Sequence, residues 1–345
     1  MIQQITPFKT QKVLDLCSGI GGFTLGHLIS GGFETIAFCE INQYCQQVLN
    51  LRFPHIPIIS DIHDITVESL CRVGVKEIDG IIAGLPCPPF SLAGKRQASK
   101  DSRNLFGEFF RIICEIRPDW AIVENVPGLL TAEGSEFFRA VLWEFASLGF
   151  DVEWGIVSAV SVGAVHKRER VWIIAHSQSP RRGTSWSQYT QSGTNLASVG
   201  GGDNAHTNQN RCQQQLQETN LMRQKPLLRG GQHFKSFSFD FAQDKSQSTF
   251  CQRHHGLSQR LGRYLMGQSD LDRWLCAATV PSFSRLTRRE VAALPADSQK
   301  EYCQLYAEYQ SLRRQHKQQL MALGNAIVPQ CAALIFDRLK QILSQ

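Results

Sequence analysis

No two of the eleven cysteines form a Cys-x-x-Cys pair. They are scattered singly, mostly through apolar stretches, which argues against a zinc ribbon and predicts reduced, intracellular thiols. Cys251 near His254 and His255 lacks further ligands, so no metal site is expected. There is no signal-peptide apolar segment and no apolar run long enough to cross a bilayer, which predicts a soluble, cytoplasmic protein. No Gly-x-Gly-x-x-Gly loop follows any strand-like run. Nothing therefore cradles a pyrophosphate, and this counts against a nicotinamide-dependent dehydrogenase. What is present is ample: 345 residues, 42% of them apolar, can hold a sizeable core and a second module. A net charge of +6 suits a polyanionic partner without establishing one.

The densest signal is Gly84-Leu-Pro-Cys-Pro-Pro-Phe-Ser91. It follows Ile78 to Ala83, a short β-branched run that reads as a buried strand. Chemistry in open α/β sheets gathers beyond the carboxyl ends of the strands. Three prolines deny the loop regular hydrogen bonding, so the thiol of Cys87 is held rather than packed. A lone cysteine is equally a small buried hydrophobe, and the nucleophile reading rests on its companions.

The first companion is the strand-like Lys12 to Cys17, followed by Ser18-Gly-Ile-Gly-Gly22 and a helical pattern. Gly19, Gly21 and Gly22 permit a sharp strand-to-helix turn and close approach of a ligand. A second strand ends in Glu40, suited to the hydroxyls of a ribose. A third, Ile56 to Ser60, ends in Asp61, which can accept from an exocyclic amine. The next companion is Trp120 to Val123, a strand carrying Glu124 and Asn125 at its end. Apolar walls there let a carboxyl keep its proton near neutral pH. The last is His166-Lys-Arg-Glu-Arg170, running into an apolar strand, with Arg168 and Arg170 on one face by alternation.

Taken in order, these segments resemble the C5-cytosine DNA methyltransferases. The matching motifs are Asp15-Leu-Cys-Ser-Gly-Ile-Gly-Gly22, Pro86-Cys-Pro-Pro-Phe-Ser91, Glu124-Asn-Val126, His166-Lys-Arg-Glu-Arg170 and Leu323-Gly-Asn-Ala-Ile-Val-Pro329. The resemblance implies S-adenosylmethionine as cofactor and a cytosine flipped out of double-stranded DNA as substrate. It implies that the Cys87 thiolate attacks C6 while Glu124 binds N3 and the exocyclic amine. The activated C5 then takes the methyl group, and loss of the C5 proton expels Cys87. Carried over residue by residue, Cys17, Gly19, Gly21, Gly22, Glu40, Asp61, Pro86, Asn325 and Ala326 fall in cofactor motifs. Arg168 and Arg170 stand near the flipped base and the phosphate backbone. Ser91, Lys95, Arg96 and Arg103 fall in a loop that closes over DNA. The chain departs from the family at Cys17, where Phe is usual, and at Pro88 and His166, where Gln is usual.

The implied fold is a doubly wound, Rossmann-like α/β core with an inserted smaller recognition domain. The expected division is 1–177 for the catalytic core, 178–315 for target recognition and linking helices, and 316–345 for the return to the core. From Ser177 to about Lys235 the chain is rich in Gln, Ser, Asn and Arg, side chains that read base edges and also compose linkers. Phe237, Phe239 and Phe241 alternate as a strand would. The stretch 284–319 is helix-prone, and Gln330 to Ile342 reads as a last helix. A monomer is expected, with or without a companion restriction endonuclease. A tRNA cytosine methyltransferase and a catalytically silent DNA-binding regulator are the alternatives. The long insertion counts against the first, and intact Cys87, Glu124, Arg168 and Arg170 against the second.

Overall fold

The computed structural model describes residues 8–86, 105–177, 234–236 and 285–344. The backbone divides into two units, residues 1–251 with 327–345, and residues 252–326. In the first unit the strands are β1 (Gln11–Leu16), β2 (Phe33–Cys39), β3 (Ile58–Ile59), β4 (Gly80–Ala83), β5 (Trp120–Asn125), β6 (Phe150–Ser158), β7 (Glu169–Ser177) and β8 (Phe234–Ser236). Its helices are α1 (Gly22–Ser30), α2 (Gln43–Arg52), α3 (Val67–Arg72), α4 (Phe106–Ile116), α5 (Glu136–Ser147) and, after the second unit, α8 (Pro329–Leu343). The second unit contributes α6 (Arg288–Ala292) and α7 (Ala296–Asn325).

The eight strands form one sheet in the order β3-β2-β1-β4-β5-β7-β6-β8. Strands β1 to β5 run parallel, and β7 is antiparallel to both β5 and β6. The central strands are buried on both faces, which is why they read as apolar runs rather than alternations. Successive residues serve opposite cores. Leu14, Ile81, Val123 and Ile173 face α4 and α5 with their phenylalanines, whereas Val13, Ile82, Ile122 and Trp172 face Phe23 of α1 and Ile335, Phe336 and Leu339 of α8.

Two glycines allow contacts that a side chain would forbid. Gly80 opens β4, and a methyl there would fall within the Trp120 indole. Gly26 brings α1 so close to α8 that a methyl would overlap Ala332. Helix α8 is further tied by Lys340 Nζ donating to the Ser30 carbonyl at 2.7 Å. Arg338 donates through Nε and Nη2 to both oxygens of Glu153 in β6, each at 2.9 Å.

Two sequence expectations need correction. Cys114 in α4 is disulfide-bonded, while Cys17, Cys39, Cys45, Cys71, Cys303 and Cys331 are free thiols. Spacing along the chain cannot report which thiols meet in space. Residues 296–343 also include an 18-residue window of mean hydropathy 1.5, apolar and long enough by composition to cross a membrane. The backbone leaves the helical region at Ala326 (ψ 143°) and Val328 (ψ 111°), dividing that stretch. Cys331, Ala332, Ile335, Phe336 and Leu339 of its second half are spent on the core beside α1.

Candidate active site

Chain turns at the carboxyl ends of β1, β2, β4 and β5 converge on one edge of the sheet. After β1 the backbone enters the left-handed region at Cys17 (φ 53°), Gly19 (φ 55°) and Gly21 (φ 84°) before α1 begins. The Ser18 hydroxyl donates to the Asp15 carbonyl at 2.7 Å, and Arg52 Nη1 donates to the Ile20 carbonyl at 3.0 Å. Glu40 fastens the turn from the next strand. Its two carboxylate oxygens accept from Gly19 N–H and Asn42 N–H, each at 2.7 Å. Each oxygen keeps a second lone pair, so the same carboxylate can accept from sugar hydroxyls.

Cys17 is half-buried, and burial together with Glu40 and Asp15 pushes its thiol up to about 12. It is a wall, not a nucleophile. Asp61 caps the short turn after β3, accepting from His63 N–H at 2.9 Å and His63 Nδ1 at 2.7 Å. The His63 backbone N–H, then its ring, hold this carboxyl below its usual range. Asn325 ends α7 and Ala326 follows it, both in the second unit. Ile327 is the residue that reaches the turn: a methyl on Gly22 would lie 2.5 Å from the Ile327 carbonyl oxygen, and one on Gly84 3.3 Å from Ile327 Cδ1.

On the other side of β1, β4 is followed by Gly84, the buried Leu85 and the exposed Pro86. Cys87, Ser91, Lys95, Arg96 and Arg103 lie outside the described residues. The neighbouring strand β5 presents Glu124, only 8% exposed. Burial raises its pKa; the positive charges of Arg170 and Arg168 oppose that rise. Arg170 Nε lies 2.9 Å from Glu124 Oε1. Antiparallel pairing of Asn125 with Val171 sets this geometry, because it brings the start of β7 against the end of β5. Arg168 lies one residue before β7, at φ 24°, so simple alternation does not describe its direction. Burial lowers its pKa.

Asn125, buried at the end of β5, ties two turns together. Its Nδ2 donates to the Leu85 carbonyl at 3.2 Å while its Oδ1 accepts from Val126 N–H at 2.9 Å. One buried amide thus fixes the turn two residues before Cys87. Asn125→Ala leaves the Leu85 carbonyl without that donor, a loss of about 1–3 kcal/mol in local order. The expected outcome is a kcat reduced by tenfold or more with cofactor affinity unchanged, checked by steady-state kinetics beside cofactor titration.

Beneath the glycine turn runs a buried polar chain that the sequence did not reveal. Thr24 Oγ1 donates to Asp15 Oδ2 at 3.1 Å and lies 2.9 Å from Thr35 Oγ1, which is 2.6 Å from His27 Nε2. Among the described residues, Asp15 Oδ1 and His27 Nδ1 have no hydrogen-bond partner. Burial pushes the Asp15 carboxyl up to about 8 and the His27 imidazole down to about 4. Both groups are thus neutral around pH 6. A raised carboxyl favours folding while it stays protonated, so its contribution fades as pH rises from about 4 towards 8. Asp15→Asn removes this dependence. Its melting temperature relative to wild type is expected to rise between pH 5 and pH 8, read by calorimetry; a flat difference would rule out the neutral carboxyl.

A glycine turn into a helix and an acidic residue after β2, at the carboxyl edge of a mostly parallel sheet, define the doubly wound α/β class. A sequence model of the family described as C-5 cytosine-specific DNA methylase matches residues 11–341. The chain belongs to that family. It is 36% identical over 162 residues to Type II methyltransferase M.NgoMIV of Neisseria gonorrhoeae, covering 47% of this chain and 50% of that protein. It is 32% identical over 179 residues to Type II methyltransferase M.AquIA of a Picosynechococcus strain, covering 48% of this chain and 72% of that one. The chain therefore spans only about half the length of the first of these relatives. Among solved structures, a DNMT2 variant of Spodoptera frugiperda matches at 26% identity with a TM-score of 0.40, covering 50% of this chain and 52% of that one. Among the described residues no group of three His, Cys, Asp or Glu side chains could hold a metal ion.

Proposed function

We propose that this protein is a sequence-specific DNA (cytosine-5-)-methyltransferase that uses S-adenosylmethionine. The observation that carries this reading is the buried Glu124 carboxyl, set 2.9 Å from Arg170 on the strand beside the one that leads into Cys87. A carboxyl with a raised pKa can present a proton to a ring nitrogen, and Arg170 fixes its rotamer. In this reading the Cys87 thiolate adds to C6 of a flipped cytosine, forming a covalent adduct, and Glu124 stabilises the ring as C5 becomes nucleophilic. The cofactor, when bound, supplies an electrophilic methyl group. The open turn at Gly19, where a methyl would touch nothing within 4 Å, fits a ligand lying against the backbone. Glu40 fits its ribose, Asp61 its base, and Cys17, Gly21, Gly22 and Pro86 its walls, with Asn325 and Ala326 in the segment leading to Ile327.

Arg168 and Arg170 steady Glu124 and the flipped nucleotide. Ser91, Lys95, Arg96 and Arg103 belong to a loop over the duplex. Residues 1–177 and 316–345 form the catalytic core, and 178–315 selects the target. The protein acts as a monomer in the cytoplasm, on DNA, and protects sites that a companion restriction endonuclease would cut.

Bisulfite sequencing of DNA from cells expressing the chain, with transfer to duplex and tRNA compared in vitro, tests this. Methylated cytosines in one fixed context on duplex DNA are expected. Transfer to tRNA alone, or none from folded protein, would refute the reading.

A further inference from the structure

Helix α7 carries Arg313, Arg314 and Lys317, none of which forms an ion pair among the described residues. Of its 30 residues, only Ala322 is buried. At helical spacing, Tyr302, Tyr306, Tyr309, Arg313 and Lys317 follow one line along it. The first part of that line is covered by its own unit. Leu286 N–H donates to Tyr302 Oη at 2.9 Å, the Tyr302 and Tyr306 rings stack at 6.0 Å, and the Arg285 guanidinium sits 5.8 Å from the Tyr306 centroid. The line then continues as charge. The Arg313 guanidinium lies 5.8 Å from the Tyr309 centroid, and Arg313, Arg314 and Lys317 are all exposed.

Ordinary explanations for these charges fall short. The acidic residues of α7 (Asp297, Glu301 and Glu308) precede Tyr309, and none follows it in the helix. Favourable i,i+4 pairing is therefore closed to Arg313, Arg314 and Lys317. The helix dipole rewards cations only in the last turn, and these stand two to three turns before Asn325. Packing against Tyr309 also restrains the exposed Arg313, reducing the freedom it would lose on binding. Arg313 and Lys317 are about 6 Å apart along the axis. That span reaches two successive phosphates of one strand, which advance about 3.4 Å each along a duplex.

We infer that Arg313, Arg314 and Lys317 on α7 form a sequence-independent contact with the phosphate backbone of duplex DNA. This rests on the proposed DNA substrate and adds to it a binding surface in the second unit. The contact supplies affinity and salt dependence, not sequence choice.

The test uses the full chain and fluorescence anisotropy of labelled duplexes between 50 and 250 mM KCl. The variants are Arg313→Gln/Arg314→Gln/Lys317→Gln, the single Lys317→Gln, Arg313→Lys/Arg314→Lys, and Lys300→Gln on the far side of the helix. Methyl transfer to duplex DNA is assayed on the same wild-type preparation. The slope of log affinity against log salt is expected to shrink by about 2–3 in the triple variant and by about 1 in Lys317→Gln. Affinity in the triple variant should fall at least tenfold on related and unrelated duplexes alike. Arg313→Lys/Arg314→Lys and Lys300→Gln should keep the wild-type slope.

If wild type methylates duplex DNA and both charge-removing variants keep its slope, the inference fails while the proposed function stands. A loss confined to one sequence, or an equal loss in Lys300→Gln, also overturns it. So does a change in self-association with the DNA slope intact, which would assign the stripe to a second copy of the chain. Wild type that neither binds nor methylates duplex overturns both readings. The single variant keeps the test intact if the triple variant loses helical circular dichroism.

Discussion

Cys87→Ser is expected to lower methyl transfer by roughly 10^4-fold or more while duplex affinity stays within about threefold of wild type. The asymmetry follows from the chemistry. C5 of cytosine is a poor nucleophile until C6 carries an adduct, so without the adduct the reaction has no low-energy route. An alcohol near neutral pH does not offer the soft anion that both adds and leaves readily. In the proposed reaction Glu124 cannot compensate, because its buried carboxyl, 2.9 Å from Arg170, would place a proton and form no bond to carbon. Single-turnover transfer and anisotropy on one preparation decide the matter. Residual transfer within a hundredfold of wild type would remove Cys87 from the nucleophile's role.

Gly80→Ala should be the most damaging small substitution for stability, by about 4 kcal/mol or more. Trp120 is wholly buried, with Phe33 at 5.6 Å and Phe336 at 6.3 Å between ring centroids, so the indole has nowhere to retreat. A methyl on Gly80 must displace it or force β4 from β5. These two strands lead to Cys87 and Glu124, so the spacing of the active edge is disturbed as well. A second substitution distinguishes crowding from loss of backbone freedom. Trp120→Leu makes room and should restore a large part of the loss in the double variant, a coupling readable by urea denaturation. Additive effects would show that the ring is not the obstacle.

Strands β1, β2, β4, β5 and β7 were legible in the sequence because burial on both faces demands continuous apolar runs, with polar or charged residues at their ends. Strand β6 was not. Asp151 and Glu153 interrupt its apolar pattern, and Glu153 is buried only because Arg338 in α8 binds both of its oxygens. No local window contains that partner. The same applies to Asn125 and the Leu85 carbonyl, a contact between the ends of two strands. At the start of β7 strand alternation begins only at Glu169, for Arg168 lies at φ 24°. The sequence suggests a third strand over Ile56 to Ser60, whereas the strand is Ile58–Ile59; Pro57 still accepts from Phe38 N–H at 2.9 Å but has no N–H to donate. Residue types announced the acidic group of the site and its arginines; only the register of β5 with β7 joined Glu124 to Arg170.

The close fit of α8 against Gly26 has a consequence for synthesis on the ribosome. The apolar face of α1 and the seat of Ile327 beside the glycine turn are covered by residues that emerge only after the whole intervening chain. A nascent polypeptide can pair β1 through β7 early, yet its cofactor turn stays open on one side until translation reaches 327–343. The core thus reaches completion only after every residue up to 326 has been made, because its last helix and the seat of Ile327 lie at the far end of the chain.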